Sequence, residues 1–129
     1  MLTSLRLPLF CALLSCLTQA ALAEECSSDR SRGAQLFANE CSACHSVTKG
    51  VTGMMGPSLA GVIGRKSGAL AGFNYSQAMR GKDFNWQVEN IAQLIEQPQA
   101  FMPGTYMPYA GMASAQDRQA VACFVKEQQ

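Results

Sequence analysis

Five consecutive residues carry the strongest chemical signal in the chain: Cys41, Ser42, Ala43, Cys44 and His45. The spacing Cys-x-x-Cys-His is the attachment signature of a c-type haem. Each thiol can add across one vinyl group on the same porphyrin edge. The histidine that follows then lies under the iron, where an imidazole nitrogen can act as a ligand. The pattern predicts one haem c per chain, covalently attached.

Other uses of these residue types need partners that the sequence lacks. A zinc ribbon requires a second Cys-x-x-Cys pair, and the chain has none. A redox-active thiol pair of the thioredoxin kind requires a strand-rich βαβ context, which is also missing. His45 is the only histidine, so a second histidine ligand within the chain is excluded.

The first 23 residues have the composition of a secretory signal peptide. Arg6 precedes a mainly apolar run at 7–17, which is too short for a membrane span, and residues 21–23 form a small-x-small cleavage site. We therefore expect cleavage after Ala23, export to the periplasm, and one domain over residues 24–129. The alternative is lipidation at Cys16, which ends a segment loosely resembling a lipobox.

Charge in the expected mature chain is balanced. Without Arg6, nine basic side chains remain beside nine acidic ones. A nucleic-acid-binding protein would instead carry a basic, clustered surface, so that class is not expected.

Helical periodicity and turn residues organise the rest of the chain. Helices are predicted at 29–40, at 86–97 after Asn85 as the cap, and from Ser114 onward, where Ser114-x-x-Asp117 is a capping-box variant. Residues 76–80 are expected to form one or two helical turns. Glycine-rich and proline-containing loops are expected at 46–72 and 98–113. With no convincing strand, the fold class is all-α, with three main helices and long loops.

A haem iron bound to His45 has a second axial position to fill. Methionine sulfur is a soft, neutral ligand that raises the reduction potential. The loop after Pro98 can fold over the open face of a haem, and it supplies Met102, Met107 and Met112. Spacing alone does not choose among these three.

Residues 101–111 resemble the methionine loop of class I c-type cytochromes, and in particular the mitochondrial and photosynthetic-bacterial electron carriers. The likeness extends over residues 29–126 and includes further motifs in family register: Gly33, Phe37, 56–59, 64–68, 72–75 and Trp86. This resemblance implies the class I cytochrome c fold, with three main helices and long loops wrapped around one covalent haem.

The resemblance also implies roles for individual residues. Met107 would be the distal axial ligand, and the carbonyl of Pro57 would accept a hydrogen bond from His45, the proximal ligand. Thr105 would support one haem propionate. The other propionate would be bound by Arg65, Tyr75 and Trp86. At the crossing of the first and last helices, the resemblance implies packing of Gly33 and Phe37 against Val121 and Phe124.

The chain departs from the family around the exposed haem edge. The mitochondrial proteins carry lysines there, and this sequence has Glu40, Gln99, Ala100, Tyr106, Met112 and Ala113 at the matching places. We therefore expect a neutral and partly apolar docking face, with weak steering by charge.

Cys26 and Cys123 are left over after haem attachment. The resemblance places the two end helices in contact, so these cysteines can form a disulfide. Alternatively, Cys123 is a buried apolar residue and Cys26 is a free thiol. The sequence leaves both alternatives open.

The function that the resemblance implies is electron transfer, not enzymatic catalysis. We expect a soluble, monomeric, periplasmic single-haem carrier with His/Met ligation and no membrane anchor. Expected partners are redox proteins: a membrane oxidoreductase complex, a terminal oxidase or peroxidase, or a periplasmic dehydrogenase. A haem peroxidase or a gas-binding haem sensor is the alternative if the methionine ligand is labile or absent.

Overall fold

The computed structural model of the protein describes Cys26 and residues 30–129. The predicted signal peptide, its cleavage after Ala23 and the alternative of lipidation at Cys16 concern residues outside this part. They remain predictions.

Five helices and long connecting loops make up the described part of the chain. The helices are α1 (Arg30–Glu40), α2 (Gln77–Arg80), α3 (Val88–Glu96), α4 (Pro98–Phe101) and α5 (Ala115–Lys126). Within residues 30–129 the only β pairing is an isolated bridge between Lys66 and Asn85. The predicted all-α class, with three main helices, is therefore confirmed. None of the helices in the described residues has the length and apolar character needed to cross a membrane.

Helices α1 and α5 cross at a glycine. A Cβ atom on Gly33 would lie 2.3 Å from the carbonyl oxygen of Ala120 and 2.9 Å from the Cβ of Phe124, so no larger residue fits without movement. The rings of Phe37 and Phe124 pack beside this point, with centroids 5.4 Å apart. Val121, also expected at the crossing, lies in a second buried cluster with Ile95 and Met112, and Leu36 of α1 packs against that cluster.

Helix α3 begins two residues later than the sequence suggests. Asn85, the predicted cap, is engaged in the bridge to Lys66, and the backbone N–H of Trp86 donates to the carbonyl of Arg65 at 2.9 Å. The cap is Gln87, whose N–H donates to Asn90 Oδ1 at 2.7 Å. The predicted apolar stripe is buried along its length: Val88, Ile91, Leu94 and Ile95.

Pro98 follows the end of α3, as predicted, but it also begins a short helix where the sequence predicts a loop. Proline is favoured at the first position of a helix because its missing N–H would have no helical partner there. Helix α4 follows over four residues. At the other end of this loop, Ser114 Oγ accepts from the N–H of Asp117 at 3.2 Å, so α5 begins as predicted.

A disulfide bond joins Cys26 to Cys123, whose Cα atoms lie 5.3 Å apart across a sequence separation of 97 residues. It links the segment before α1 to the buried side of α5, where Cys123 is only 3% exposed. Of the two alternatives left open by the sequence, the structure therefore has the disulfide.

Candidate haem site

A largely apolar cavity of about 300 Å³ opens between the helices and the two long loops. Its size is at the lower end of the usual range for small-molecule sites. Cys41, Cys44, His45 and Met107 all line it. The cavity therefore brings together the residues that the sequence analysis assigned to thioether attachment and to the two axial positions.

The two thiols lie at the end of α1. The N–H of Cys41 donates to the carbonyl of Phe37 at 2.9 Å, which continues the helical pattern to the first cysteine. The N–H groups of Cys44 and His45 both donate to the carbonyl of Cys41, at 3.0 and 2.9 Å, and so close a tight turn. Burial raises the pKa of the Cys41 thiol to about 11, and the negative charges of Glu40 and Cys44 add to the effect. Both cysteines are half-buried and unbridged.

The ring of His45 is held in one tautomer by the loop that follows it. Its Nδ1 lies 2.8 Å from the carbonyl oxygen of Pro57. A carbonyl only accepts, so Nδ1 carries the proton and the Nε2 lone pair of the neutral ring is free. Burial lowers the pKa of His45, and the hydrogen bond to Pro57 acts in the opposite direction. The net effect favours the neutral imidazole, the form that binds metals.

Gly56 provides the space for this ring. A Cβ atom on Gly56 would lie 2.4 Å from Cε1 and 2.7 Å from Nδ1 of His45. The backbone therefore approaches the imidazole more closely than any residue with a side chain would allow. The N–H of Gly56 also donates to the carbonyl of Cys44 at 2.8 Å, which ties the two segments together.

The three methionines that spacing could not separate lie in different environments. Met102 is completely buried in the main core, and Met112 is 6% exposed in the cluster around Val121. Of the three, only Met107 lines the cavity. Its N–H donates to Thr105 Oγ1 at 3.3 Å.

Two methionines outside that loop, Met55 and Met79, also line the cavity, but their surroundings differ from those of Met107. Met79 Sδ lies 3.2 Å from the hydroxyl of Ser67, which also donates to the Met79 carbonyl at 2.9 Å. Met55 is 73% exposed. Met79 lies outside the loop after Pro98 and was therefore not among the three candidate ligands.

Three of the predicted polar residues line the cavity and interact with one another: Arg65, Tyr75 and Trp86. The backbone N–H of Trp86 donates to the carbonyl of Arg65, and Arg65 interacts electrostatically with Tyr75. Burial lowers the pKa of Arg65 and raises that of Tyr75, while their mutual interaction opposes both shifts. Arg65 also donates to the carbonyl of Ser58 at 2.7 Å. Trp86 is buried, and its indole N–H has no hydrogen-bond partner among the described residues.

These observations fit a haem. The apolar lining suits a porphyrin, and the paired thiols and the neutral imidazole suit thioether attachment and iron ligation. A buried carboxylate needs cationic or hydrogen-bonding partners, and Arg65, Tyr75 and the unsatisfied indole of Trp86 are of that kind. Thr105 lines the same cavity, is buried, and accepts a hydrogen bond from the N–H of Met107.

One contact at the cavity was missed by the sequence analysis. The hydroxyl of Tyr109 donates to the carboxylate of Glu40, and both residues line the cavity. Burial, the hydrogen bond to Glu40 and the charge of that carboxylate all raise the pKa of Tyr109. The two residues are 69 positions apart, so no local pattern could have paired them.

Comparison with known proteins identifies the family. The sequence model of the family described as Cytochrome c matches residues 31–129. A cytochrome c of Arabidopsis thaliana is 34% identical over 100 residues, which cover 78% of this chain and 89% of the relative. A cytochrome c of the fungus Cochliobolus lunatus is 33% identical over 100 residues, covering 78% of this chain and 93% of the relative. One from Ulva intestinalis is 34% identical over 99 residues, covering 77% and 89%.

The comparison contradicts the predicted periplasmic location, which was wrong. The relatives are plant, fungal and algal cytochromes c, which are proteins of the mitochondrial intermembrane space. The prediction depended entirely on the composition of the first 23 residues. A periplasmic dehydrogenase as a partner, which followed from that location, is dropped with it.

The matched region contains all the residues that line the cavity, from Phe37 in α1 to Val125 in α5. Proteins of this family carry one covalently bound haem c and act as electron carriers with redox partners, not as enzymes. The chain belongs to the cytochrome c family and is a haem-bearing electron carrier.

Proposed function

We propose that this cytochrome transfers single electrons through a haem iron held by His45 on one side and Met107 on the other. The main support for this proposal is that His45 and Met107 line the same cavity, whereas Met102 and Met112 are buried elsewhere. The bound haem supplies an iron that alternates between Fe(II) and Fe(III).

Each residue around the cavity then has a definite task. Cys41 and Cys44 hold the porphyrin covalently, and Pro57 fixes the tautomer and orientation of His45. Thr105 holds the backbone of Met107 through the hydroxyl that accepts its N–H. His45 and Met107 would remain the partners of the iron in both oxidation states, and the apolar lining would exclude water from it, so reorganisation on electron transfer would be small.

The cluster of Arg65, Tyr75 and Trp86 binds one haem propionate in this proposal. Its guanidinium, hydroxyl and indole N–H lie in a partly buried setting, where a carboxylate without partners would be costly. The second propionate is supported near Thr105.

The experiment that tests the ligand assignment is the optical spectrum of the ferric holoprotein, compared with Met107→Ala. Methionine sulfur bound to ferric iron gives a weak far-red band, which we expect in the wild type and not in the variant. The control is Met112→Leu, which changes a methionine in the same loop that does not line the cavity, and it should keep the band. A wild-type spectrum without the band and with high-spin features would contradict His/Met ligation and favour peroxidase or gas-binding chemistry.

The partner contact in this proposal is uncharged. Three large apolar side chains are exposed in the described part of the chain: Val51, Met55 and Tyr106. The last two line the cavity and are 73% and 71% exposed. Among the lining residues the charged ones are Glu40 and Arg65, and each is hydrogen-bonded within the chain. A membrane oxidoreductase complex, terminal oxidase or peroxidase with a neutral contact patch fits this rim.

The charge assignment is tested by voltammetry of the holoprotein on gold electrodes with carboxylate-terminated or hydroxyl-terminated monolayers. We expect the wild-type electron-transfer rate to change less than about twofold between about 0.01 M and about 0.15 M salt, where screening changes most. Tyr106→Lys should make the rate on the carboxylate surface fall with salt. The control is Gln93→Lys, which adds the same charge at an exposed position on α3. A strong salt dependence of the wild type would contradict a neutral contact.

A further inference from the structure

We propose that the hydrogen bond from Tyr109 to Glu40 is a latch that holds the Met107 loop closed over the haem. The proposal rests on the function proposed above. It assigns a positioning role to two side chains that neither touch the iron nor transfer electrons in that proposal.

The first observation is how the loop is attached. Its two ends are fixed by the backbone: the N–H of Met102 donates to the carbonyl of Pro98 at 2.9 Å, and that of Met112 to the carbonyl of Ile95 at 2.8 Å. Arg118 adds bonds to the carbonyls of residues 112 and 113 at 2.9 and 2.7 Å. The loop is therefore fixed at one point before Met107 in the sequence and at another point after it.

Between these anchors the loop packs against the core through Met107 and Tyr109, but it makes few hydrogen bonds. Residues 106–111 form no regular secondary structure. In the described part of the chain, the Tyr109–Glu40 bond is the only hydrogen bond from residues 106–111 to another element. Met107 itself is bonded only to its near neighbour Thr105.

The second observation is where the acceptor lies. Glu40 is the last residue of α1 and directly precedes Cys41, the first attachment cysteine. A bond from Tyr109 to Glu40 therefore joins the loop that carries the proposed distal ligand to the helix end that bears the covalent attachment. Glu40 lines the cavity, as Tyr109 does, so the bond is made at the haem site itself.

The chemistry suits a latch. A phenol donating to a carboxylate is a charge-assisted hydrogen bond, which is stronger than one between neutral groups. Glu40 is exposed, so water competes for its carboxylate and the bond can open and re-form. In the holoprotein the proposed bond from Met107 to the iron and the packing of Met107 and Tyr109 also hold the loop, so the hydrogen bond contributes one part of the free-energy cost of opening it.

The test measures loop opening in the ferric holoprotein with imidazole as an external ligand. Imidazole can take the distal position only when the loop opens, so its limiting rate at saturation reports the opening rate and loss of the far-red band reports occupancy. We expect Tyr109→Phe to raise opening about three- to tenfold, as expected for the loss of a charge-assisted hydrogen bond at an exposed site. Tyr106→Phe is the matched control, because it removes a hydroxyl from the same loop that bonds to no described residue.

Variants at the acceptor complete a double-mutant cycle. Glu40→Ala should raise opening as much as Tyr109→Phe does, and the double variant should raise it no further. Glu40→Gln keeps an acceptor without the charge, so its opening rate should lie between those of the wild type and Glu40→Ala. A Tyr109→Phe rate equal to that of Tyr106→Phe, or single effects that simply add, would overturn the latch.

Two further readouts separate the latch from other effects. Global unfolding in denaturant should be nearly unchanged in all of these variants, so a large common loss of stability would show a merely structural role. Amide hydrogen exchange over residues 106–112 should speed up in Tyr109→Phe whether or not Met107 is the ligand. If the wild type lacks the far-red band, the ligand assignment fails, while the exchange result still decides the latch.

Discussion

Gly56 and His45 show how one missing side chain shapes the site. The ring of His45 occupies the space that a Cβ on Gly56 would need. Such a Cβ would lie only 2.4 Å from Cε1 of the ring. The next residue, Pro57, supplies the carbonyl that orients the same ring. Two adjacent loop residues thus determine both the position and the tautomer of the proposed proximal ligand.

Replacing Gly56 by alanine should displace the His45 ring. We expect an overpacking cost of about 1–3 kcal/mol in the free energy of unfolding, together with a shift in the reduction potential of the holoprotein. Denaturant unfolding and voltammetry measure the two effects.

The control for that variant is Gly53→Ala. Gly53 has φ +78° and open space where its Cβ would lie, so alanine there introduces backbone strain without touching His45. It should lower stability and leave the potential unchanged. An unchanged potential in Gly56→Ala would contradict the proposed contact.

At the scale of the elements, the crossing of α1 and α5 supports the end of α1 from which Cys41 emerges. The close approach at Gly33 and the ring contact of Phe37 with Phe124 form its apolar part. An ion pair between Arg32 and Asp117 joins the same two helices. The hydrogen bond from Arg32 is the main reason that the pKa of Asp117 is lowered.

Lowering the pH should remove the stabilisation that the ion pair between Arg32 and Asp117 gives to this crossing. A carboxyl whose pKa is lower in the folded state stabilises the fold above its ordinary pKa and loses that effect as the pH falls through the folded value. Asp117→Asn should therefore be less stable than the wild type near neutral pH, and the difference should shrink as the pH falls below about 4.

Denaturant midpoints of the two proteins over that pH range measure the effect. Glu89→Gln, which changes one exposed carboxyl in the first turn of α3, is the control. A difference between wild type and Asp117→Asn that does not vary with pH would contradict the role of the ion pair.

At the scale of the whole molecule, the disulfide between Cys26 and Cys123 closes nearly the entire described chain into one loop. Cross-linking so long a segment restricts the unfolded ensemble strongly, and in the chain-entropy description the effect grows with loop length. The bond adds a second covalent constraint to the one expected from haem attachment.

Opening this loop should cost stability without changing the site. Cys26→Ser should lower the free energy of unfolding by about 3–5 kcal/mol, while the far-red band and the potential stay the same. A thiol reductant should reproduce the loss in the wild type, because it cleaves a disulfide and not a thioether, and should have no effect on Cys26→Ser. Two free thiols per haem in the denatured, non-reduced wild type would contradict the bond.

Patterns among residues close together in the sequence were enough to predict haem attachment and the main helices. Cys-x-x-Cys-His acts through residues a few positions apart, and helix periodicity and capping are also short-range effects. The helix that begins at Ser114 was predicted for this reason. The cap of α3 was not, because Asn85 pairs with a residue 19 positions earlier in the sequence, Lys66.

Tertiary structure decided which side chains share the cavity. Spacing left Met102, Met107 and Met112 equivalent, and packing separates them because only one of the three loop positions faces the cavity. The Cys26–Cys123 disulfide and the Tyr109–Glu40 bond each join residues far apart in sequence, 97 and 69 positions respectively. Such contacts exist only once the helices have crossed, so local sequence patterns predicted the attachment point of the haem, and the folded chain determined what surrounds it.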